Sequence, residues 1–592
     1  MKPRLILLFC AAALAGSPNH VPIRGFAADE LKAEREREAA AKAIPQSANI
    51  KALAKWLTSQ PHPAGSPRSK AVAHHIARLL REWGLETSIE TFNPLLPYPT
   101  VRRLELVTPT RFVAGLREPP VARDRDTQAP GQTPAYNAYS ASGDVTAPLM
   151  YVNFGLPEDY EELSRRGLDV RGKIVIARYG RSWRGVKPRL AQDHGAVGCI
   201  LYSDPHEDGF FAGDVYPDGP FRPLLGVQRG SVLDVAIHPG DPLTPGWASE
   251  SGARRLPLSE ARTIMRIPVL PISAGDAEPL LSALAGPVAP AEWRGALPLT
   301  YHIGPGAATV RLNTAFDWTS RPIYNVIGRI PGAVFPDQWV VWGNHHDAWG
   351  PGANDPVSGL APVLEAARAA AELARRGWKP KRTILFTFWD GEEFGLIGST
   401  EWVEKHRAEL DRKLAFYFNS DSNSRGSLRG SGSPALESFV NEIARDIADP
   451  VSGKSLADAA RPASARKGSR ESVPIRLGPI GAGSDYVPFL NHLGVSSLNL
   501  SFYGDDDATG VYHSAYDTFG WYRRFCDGEY AYGRALAQVV LLALMRTADA
   551  SVLPYEFGAL AGAIRGYAND LARQTSNRFW RSLDLREIYA QV

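Results

Sequence analysis

The run from Trp342 to Asp355 combines imidazole and carboxylate side chains in a pattern suited to metal chemistry, reading W-G-N-H-H-D-A-W-G-P-G-A-N-D. It follows a short apolar run with strand composition and precedes a long predicted helix. Side chains alternate along an extended chain, so His345 and Asp347 point to the same side. This geometry predicts a metal ligand at His345 and, at Asp347, a carboxylate that orients the second ring nitrogen. Taken alone, the run is equally consistent with a buried His–Asp pair at the end of a strand.

Three further clusters of acidic or metal-competent residues come after predicted strands of the same region. Glu392 and Glu393 follow the strand T-I-L-F-T-F-W. Asp421 follows L-A-F-Y-F, and His513 lies in a loop beyond another predicted strand. Open α/β sheets place their chemistry at the carboxyl ends of parallel strands, so these side chains are predicted to converge at one sheet edge. The candidate ligands are His345, Asp355, Glu393, Asp421 and His513.

Carboxylates together with imidazoles suit divalent zinc, and five such ligands can hold a pair of ions. Asp355 is the natural bridge between them, and the following Pro356 permits a cis peptide bond. Adjacent glutamates raise each other's proton affinity unless a cation neutralises one of them. If Glu393 binds metal, Glu392 is left to take a proton from an attacking water, which is the chemistry of a hydrolase. A solvated pair at the start of a helix is the alternative for these two glutamates considered alone.

The composition is typical of a globular protein with more than one domain. The chain has 592 residues, of which 44% are hydrophobic and 22% charged, and this length exceeds what one ordinary core supports. The net charge of +3 comes without a basic stripe, which argues against a nucleic-acid partner. Beyond the first residues, no apolar run approaches the roughly 20 residues of a membrane-spanning helix. Cys199 and Cys526 alone offer no disulfide framework and no thiolate zinc site.

The N-terminus has the outline of a secretory signal peptide, with a basic start, an apolar stretch from Leu5 to Ala12 and small residues after it. This outline predicts a signal peptide and leader over residues 1–27, and therefore export to the periplasm or the extracellular space. A lipoprotein anchor at Cys10 is the alternative, and the bulky Phe9 before it argues against lipidation.

From residue 321 onward, apolar strand patterns alternate with long helical ones, which predicts an α/β unit with a mostly parallel sheet and helices on both faces. Short β-rich runs among many glycines and prolines precede it and predict an inserted domain. The predicted strands of the α/β unit are 324–330, 338–342, 383–389, 414–419 and 496–502, and its helices are 357–377, 399–409, 435–448, 484–494 and 528–548. The predicted divisions after the leader are 28–115 and 321–525 for the α/β unit, 116–320 for the insertion and 526–592 for a helical segment.

Four runs resemble the glutamate carboxypeptidase II and transferrin receptor branch of the dizinc exopeptidases: G-N-H-H-D-A-W, F-W-D-G-E-E-F-G-L-I-G-S-T-E-W, N-S-D-S and V-Y-H-S-A-Y-D-T. The resemblance continues in the insertion with R-Y-G-R-S-W-R-G, V-Q-R-G and G-D-P-L-T-P-G-W, and covers roughly residues 48–570. It implies a phosphorylase/aminopeptidase-like peptidase domain and an inserted protease-associated domain. It also implies a partial helical dimerisation domain, and therefore a homodimer.

The same resemblance implies a role for each metal-competent residue. His345 and Asp421 would hold one zinc ion. Glu393 and His513 would hold the other, with Asp355 shared between them.

The resemblance further implies Glu392 as general base and Tyr512 as a hydrogen-bond donor to the oxyanion of the tetrahedral intermediate. It also implies a structural calcium site, for which two glutamates on one face of a helix are suitable oxygen ligands. The implied calcium ligands are Thr244, Trp247, Glu401 and Glu404.

Departures from the family pattern bear on the substrate, which we expect to be a peptide. Relatives that release a C-terminal glutamate carry an arginine pair where this chain has Asn499 and Ser501, so strict glutamate specificity is not expected. Ser484 lies at another implied substrate contact. Arg184 matches the arginine that grips a terminal carboxylate, for which a guanidinium is well suited.

These residues predict a secreted dizinc exopeptidase, and Arg184 favours a carboxypeptidase. An aminopeptidase remains an alternative, since related dizinc folds release residues from either end. A receptor-like binding protein with an inactive site is the second alternative. The complete ligand set, together with Glu392 and Tyr512, argues against it.

Overall fold

The computed structural model describes residues 22–460, 473–504, 510–576 and 585–591. The predicted signal sequence, with Cys10, lies outside the described residues, because the description begins at Pro22.

Helices and strands alternate along much of the described chain. The strands are β1 (Glu86–Phe92), β2 (Tyr98–Thr108), β3 (Phe112–Val113), β4 (Asn137–Ala138), β5 (Gly143–Tyr151), β6 (Ile174–Arg178), β7 (Gly198–Tyr202), β8 (Gly230–Ser231), β9 (Val269–Ile272), β10 (Thr309–Asp317), β11 (Ile323–Ile330), β12 (Phe335–His345), β13 (Arg382–Trp389), β14 (Leu414–Asn419), β15 (Gly426–Gly432), β16 (Leu477–Gly478) and β17 (Ser497–Gly504). The helices are α1 (Leu31–Lys42), α2 (Ser47–Leu57), α3 (Pro67–Trp83), α4 (Pro157–Arg165), α5 (Val186–Asp193), α6 (Pro205–Asp208), α7 (Ala274–Ser282), α8 (Val357–Arg375), α9 (Ile397–Lys413), α10 (Glu437–Arg445), α11 (Leu456–Ala459), α12 (Phe519–Phe525), α13 (Ala531–Asp549), α14 (Phe557–Ser576) and α15 (Arg586–Gln591).

An eight-stranded mixed sheet forms the centre of the predicted α/β unit, in the order β1-β11-β13-β12-β14-β17-β15-β16. The central strands β13, β12, β14 and β17 are parallel to one another. The pairs β1–β11, β11–β13 and β15–β17 are antiparallel. Every residue of β13 is buried, as expected for a parallel strand covered by helices on both faces. The α/β architecture predicted from the alternation is therefore confirmed.

Helices cover both faces of this sheet. Successive side chains of a strand point to opposite faces, so neighbouring residues of one strand join different cores. Trp342 joins the hydrophobic core on one face, together with apolar residues of α2, α3, α8 and α13. Its neighbour Val341 joins a separate core on the other face, which includes residues of α9.

Two local predictions differ from the structure. The helix predicted over 484–494 is reduced to a single π-helical turn, Pro488–His492, since Pro488 has no N–H to donate inside a helix. Strand β15 was not predicted, because its sequence G-S-L-R-G-S-G shows no apolar alternation. Its pairing with β17 supplies the strand conformation, so tertiary contacts outweigh local propensity here.

A second, seven-stranded sheet is built largely from the predicted insertion, in the order β3-β2-β10-β5-β6-β7-β9. Its core also includes residues of α4, α5 and α7. Strand β2 lies before residue 116, so the chain enters this sheet ahead of the segment predicted as the insertion. Within the described ranges, no helix combines the length and apolar character needed to cross a membrane.

Candidate metal centre

The parallel strands at the middle of the large sheet end at the same edge, and each delivers one of the predicted ligands there. His345 is the last residue of β12, and Glu393 follows β13 in a tight turn. Asp421 comes two residues after β14, and His513 lies in the loop after β17. Asp355 lies in the loop between β12 and α8. Residues far apart in sequence are therefore brought together by strand order.

The five predicted ligands form two groups that share one aspartate. His345, Asp355 and Asp421 form one group, while Asp355, Glu393 and His513 form the other, and within each group the candidate ligand atoms lie within 4.8 Å of one another. In the first group, Nε2 of His345 is 3.3 Å from Asp355 Oδ1 and 3.4 Å from Asp421 Oδ1. In the second, Nε2 of His513 is 3.1 Å from Asp355 Oδ2 and 3.0 Å from Glu393 Oε2. Asp355 thus directs one oxygen into each group.

These residues fit divalent zinc. Asp355 Oδ1 and Glu393 Oε1 are buried and accept no hydrogen bond from the described residues, although His345 Nε2 lies near the former. Buried carboxylate oxygens without partners are costly unless a cation or a donor satisfies them. Two imidazoles with three carboxylates are a donor set that zinc favours. When bound, zinc would polarise a peptide carbonyl and lower the pKa of an attacking water.

The pKa values at the centre point to the same need for a cation. Burial first, and repulsion from Asp421 next, raise the pKa of Glu392 well above its ordinary value. Burial and the neighbouring Asp355 do the same to the pKa of Glu393. Burial alone would lower the pKa of His345, but Glu392 and Asp421 outweigh it and raise that pKa strongly. A divalent cation would offset this accumulated negative charge.

Asp347 supports the centre in two ways. Nδ1 of His345 lies 3.0 Å from the backbone oxygen of Asp347 and 3.5 Å from its Oδ1. The same carboxylate accepts the backbone N–H groups of Glu392 and Glu393, at 3.0 and 3.3 Å. Gly391 permits the tight turn because its φ is +79°, a conformation that glycine adopts without strain. Asp347 therefore holds both the ligand ring and the turn that carries the predicted base.

Two supporting contacts of the ligands were not predicted from the sequence. Asp517 accepts the backbone N–H groups of Asn354 and Asp355, at 2.7 and 3.1 Å. Its position in the same run as His513 was the only available signal. Ser484, predicted as a substrate contact, donates its hydroxyl to Asp421 Oδ2 at 2.6 Å.

The ligands open into a cavity of about 240 Å³. Arg184, Ser484 and Asn499, which were predicted to bind substrate, are among the residues that line it. Ser501 is not among the residues that line it, and its contact with substrate stays a prediction. Ser501 lines a neighbouring cavity of about 730 Å³, which Asn499 also lines. Tyr503 borders both cavities.

Tyr512 and Arg184 lie together on one wall of the smaller cavity. An Arg184 N–H donates to the Tyr512 hydroxyl at 3.0 Å, while Arg184 Nε is buried with no hydrogen-bond partner in the described residues. The Tyr512 ring stacks on the ring of His513, with centroids 3.6 Å apart. Burial raises the pKa of Tyr512 well above its ordinary value, so its hydroxyl remains a hydrogen-bond donor at neutral pH.

Of the residues predicted for a calcium site, Glu401 and Glu404 lie on α9 and contact the loop that carries Thr244 and Trp247. Glu401 accepts the backbone N–H groups of Asp241 and Ser249, at 2.9 and 2.5 Å. In the same way, Glu404 accepts the N–H of Gly246 at 2.7 Å, and its other oxygen is buried with no partner in the described chain. Burial raises the pKa of Glu401 to about 8 and that of Glu404 to about 9.

Two stretches of the chain match known family patterns. Residues 325–522 match Peptidase family M28, and residues 145–235 match the PA domain. The first stretch contains all five metal-competent side chains, and the second covers β6 and β7 of the smaller sheet. A mixed α/β unit with this centre and a PA domain defines a zinc-dependent metallopeptidase.

Similar proteins narrow this class. The chain is 36% identical over 584 residues to "Probable glutamate carboxypeptidase VP8" of Zea mays, covering 97% of this chain and 77% of that protein. It is 35% identical over 529 residues to "Aminopeptidase NAALADL1" of Mus musculus, covering 84% and 70%. The solved zinc aminopeptidase BSAP of Bacillus subtilis has the same fold, with a TM-score of 0.52 at 19% identity, covering 84% of this chain and 96% of that one. The chain therefore belongs to the glutamate carboxypeptidase-like branch of peptidase family M28, and it is an exopeptidase.

Proposed function

We propose that this protein holds two zinc ions and releases one residue at a time from the C-terminal end of a peptide, with no strict requirement for glutamate. The observation that carries the proposal is the sharing of Asp355 between two ligand groups beside the uncommitted Glu392. A receptor-like protein with an inactive site would not need to retain both ligand groups together with Glu392 and Tyr512.

The side chains at the cavity divide the work of hydrolysis. Glu392 takes a proton from the attacking water and delivers it to the nitrogen of the departing residue, so the proton count balances. Burial raises the pKa of Glu392 above its ordinary value, which makes it a stronger proton acceptor. Tyr512 donates a hydrogen bond to the oxygen on which negative charge develops, a contribution of about 3 kcal/mol in comparable sites.

Arg184 supports the choice of a carboxypeptidase. It is a buried cation on the cavity wall, and its Nε has no hydrogen-bond partner in the described chain. A terminal carboxylate would pair with this guanidinium in a charge-assisted contact. The similarity to an aminopeptidase makes release from the N-terminus the second candidate.

We expect Arg184→Gln to lower kcat/KM for N-blocked dipeptides by about 10- to 100-fold, because one charged hydrogen bond contributes about 1.5–3 kcal/mol. Zinc content should not change, since Arg184 is not a ligand. Arg181→Gln, which removes an exposed arginine three residues earlier, is the matched control and should retain full activity. Cleavage of C-amidated but not N-blocked dipeptides by the unmodified protein would instead identify an aminopeptidase.

A structural calcium ion is part of the proposal. Glu401 and Glu404 lie on one face of α9, and Glu404 keeps one buried oxygen with no hydrogen-bond partner in the described residues. Calcium is bound through oxygen atoms, and two neighbouring carboxylates are suitable ligands for it.

Calcium is expected to raise the Tm of the zinc-loaded protein more at pH 8 than at pH 6. The pKa values of Glu401 and Glu404, about 8 and about 9, exceed those of unfolded glutamates. Without calcium, these groups therefore lose their stabilising contribution as the pH rises from about 4.5 through 9. Calcium requires the ionised carboxylates, so its affinity rises over the same interval. Thermal unfolding with and without calcium measures the difference.

Glu404→Gln should abolish most of this shift, whereas Glu409→Gln, on a more exposed part of the same helix, should not. If calcium leaves the Tm unchanged at both pH values, the result would argue against the site.

We also propose that the protein is exported and forms a homodimer. Export is supported by the basic and apolar N-terminal sequence. A dimer is supported by the exposed apolar side chains of α14, which include Phe557, Ile564, Tyr567 and Leu571. Molecular mass in solution distinguishes the dimer from a single chain.

A further inference from the structure

The loop that carries Tyr512 and His513 has an unusual backbone. His513 has a φ of +55°, in the left-handed region that non-glycine residues seldom adopt. Such a conformation persists only where the surroundings hold it in place. The contacts that hold His513 therefore determine whether its ring reaches the metal centre.

Arg229, which directly precedes β8 in the sequence, supplies these contacts. Its backbone N–H donates to the backbone oxygen of His513 at 3.0 Å, and its guanidinium donates to the same oxygen at 3.4 Å. The backbone oxygen of Arg229 lies 3.2 Å from Nδ1 of His513. A carbonyl at this position requires a proton on Nδ1, which leaves Nε2 with the lone pair that a metal needs.

The Glu118 carboxylate holds the guanidinium of Arg229 through an ion pair. Its Oε2 lies 2.5 Å from a guanidinium nitrogen of Arg229, and both side chains are almost fully buried. Glu118 also accepts the backbone N–H of Val227 at 3.0 Å and that of Ala515 at 3.3 Å. The Glu118 carboxylate therefore links the segment that carries Val227 and Arg229 to the loop residue Ala515, which follows His513.

The same arrangement leaves Arg184 available to substrate. One of its nitrogens lies 3.2 Å from Nδ1 of His513. A protonated Nδ1 cannot accept that N–H, so the Arg229 carbonyl is its partner. The guanidinium of Arg184 is then directed to Tyr512 and to the cavity.

We propose that Glu118 and Arg229 are positioning residues that hold His513 in the conformation and tautomer required on the Glu393 side of the metal centre. This inference rests on the proposed pair of zinc ions. It predicts that weakening the Glu118–Arg229 pair releases zinc selectively from the group formed by Asp355, Glu393 and His513. The other group is held through His345, at the end of β12, and Asp421, which follows β14, and it should retain its ion.

The test compares Glu118→Gln with Glu38→Gln. Glu38 pairs with Arg546 at 2.6 Å, and that pair is also almost fully buried, but it joins α1 to α13, away from the five predicted zinc ligands. Both substitutions replace a buried carboxylate by an amide and should lower the Tm. Only Glu118→Gln should weaken one of the two zinc sites, by about 10- to 100-fold. Zinc titration of the apoprotein against a chromophoric chelator measures each affinity.

Glu118→Asp, which keeps the charge, should recover most of the lost affinity. If Glu118→Gln does not fold, Arg229→Lys, which keeps the positive charge but cannot make the same guanidinium contacts, provides the measurement, with the same selective loss of zinc expected. Two zinc ions bound with unaltered affinities by Glu118→Gln would overturn the inference, and so would an equal loss in Glu38→Gln. An unmodified protein that binds fewer than two zinc ions would overturn the proposed function as well, so the two failures are distinguishable.

Discussion

Replacing Glu392 by glutamine is expected to reduce peptide hydrolysis by about 10²- to 10⁴-fold, the usual contribution of a positioned general base. Glu392 lines the catalytic cavity, and one of its oxygens lies 4.0 Å from Nε2 of His345. It belongs to neither of the two metal-competent groups. Glutamine preserves its size but cannot accept a proton at neutral pH, so zinc content should remain that of the unmodified protein.

Glu393→Gln is the matched comparison, because it removes the same charge one residue later. Glu393 Oε2 lies 3.0 Å from Nε2 of His513, so this variant should lose zinc together with activity. Kinetic assays on an N-blocked dipeptide, combined with elemental analysis, separate the two cases. Unchanged turnover in Glu392→Gln would exclude Glu392 as the base.

Replacing Asp355 by alanine is expected to have the largest effect on metal content. Its two oxygens face different groups, towards Nε2 of His345 and towards Nε2 of His513. Removing it leaves each group with two protein ligands, fewer than zinc sites normally use. Both zinc ions should therefore be lost after gel filtration, and hydrolysis with them.

His513→Ala should lose only the ion on the Glu393 side, because His345, Asp355 and Asp421 remain. Elemental analysis is thus expected to find no zinc in Asp355→Ala and one zinc ion per chain in His513→Ala. Equal zinc content in both would contradict the shared role of Asp355. Far-ultraviolet circular dichroism checks that each variant is folded.

The candidate metal ligands could be predicted from the sequence because strand periodicity and residue type carry the information. Each of His345, Glu393 and Asp421 ends or follows a continuous apolar run, and parallel strands place such positions at one edge. The structure brings these residues together as expected. The long resemblance to a known family supported the same residues independently.

Substrate-facing residues were less predictable, because their roles depend on side-chain direction and on neighbours distant in sequence. Asn499 and Ser501 look equivalent in the sequence, yet only Asn499 reaches the catalytic cavity. Ser484 was expected to contact substrate and also supports Asp421. No local pattern marks Asp517 as the residue that holds the loop of Asp355.

By itself, the sequence determined the α/β architecture, the candidate ligand set and the glutamate beside it that belongs to neither ligand group. These depend on apolar periodicity and on residue chemistry, which act over short stretches of chain. Only the tertiary structure shows which oxygen of Asp355 faces which ligand group. It alone also shows that Glu118 and Arg229 hold the loop of His513. Such contacts join segments hundreds of residues apart, and their geometry arises only when both sheets pack around the same edge.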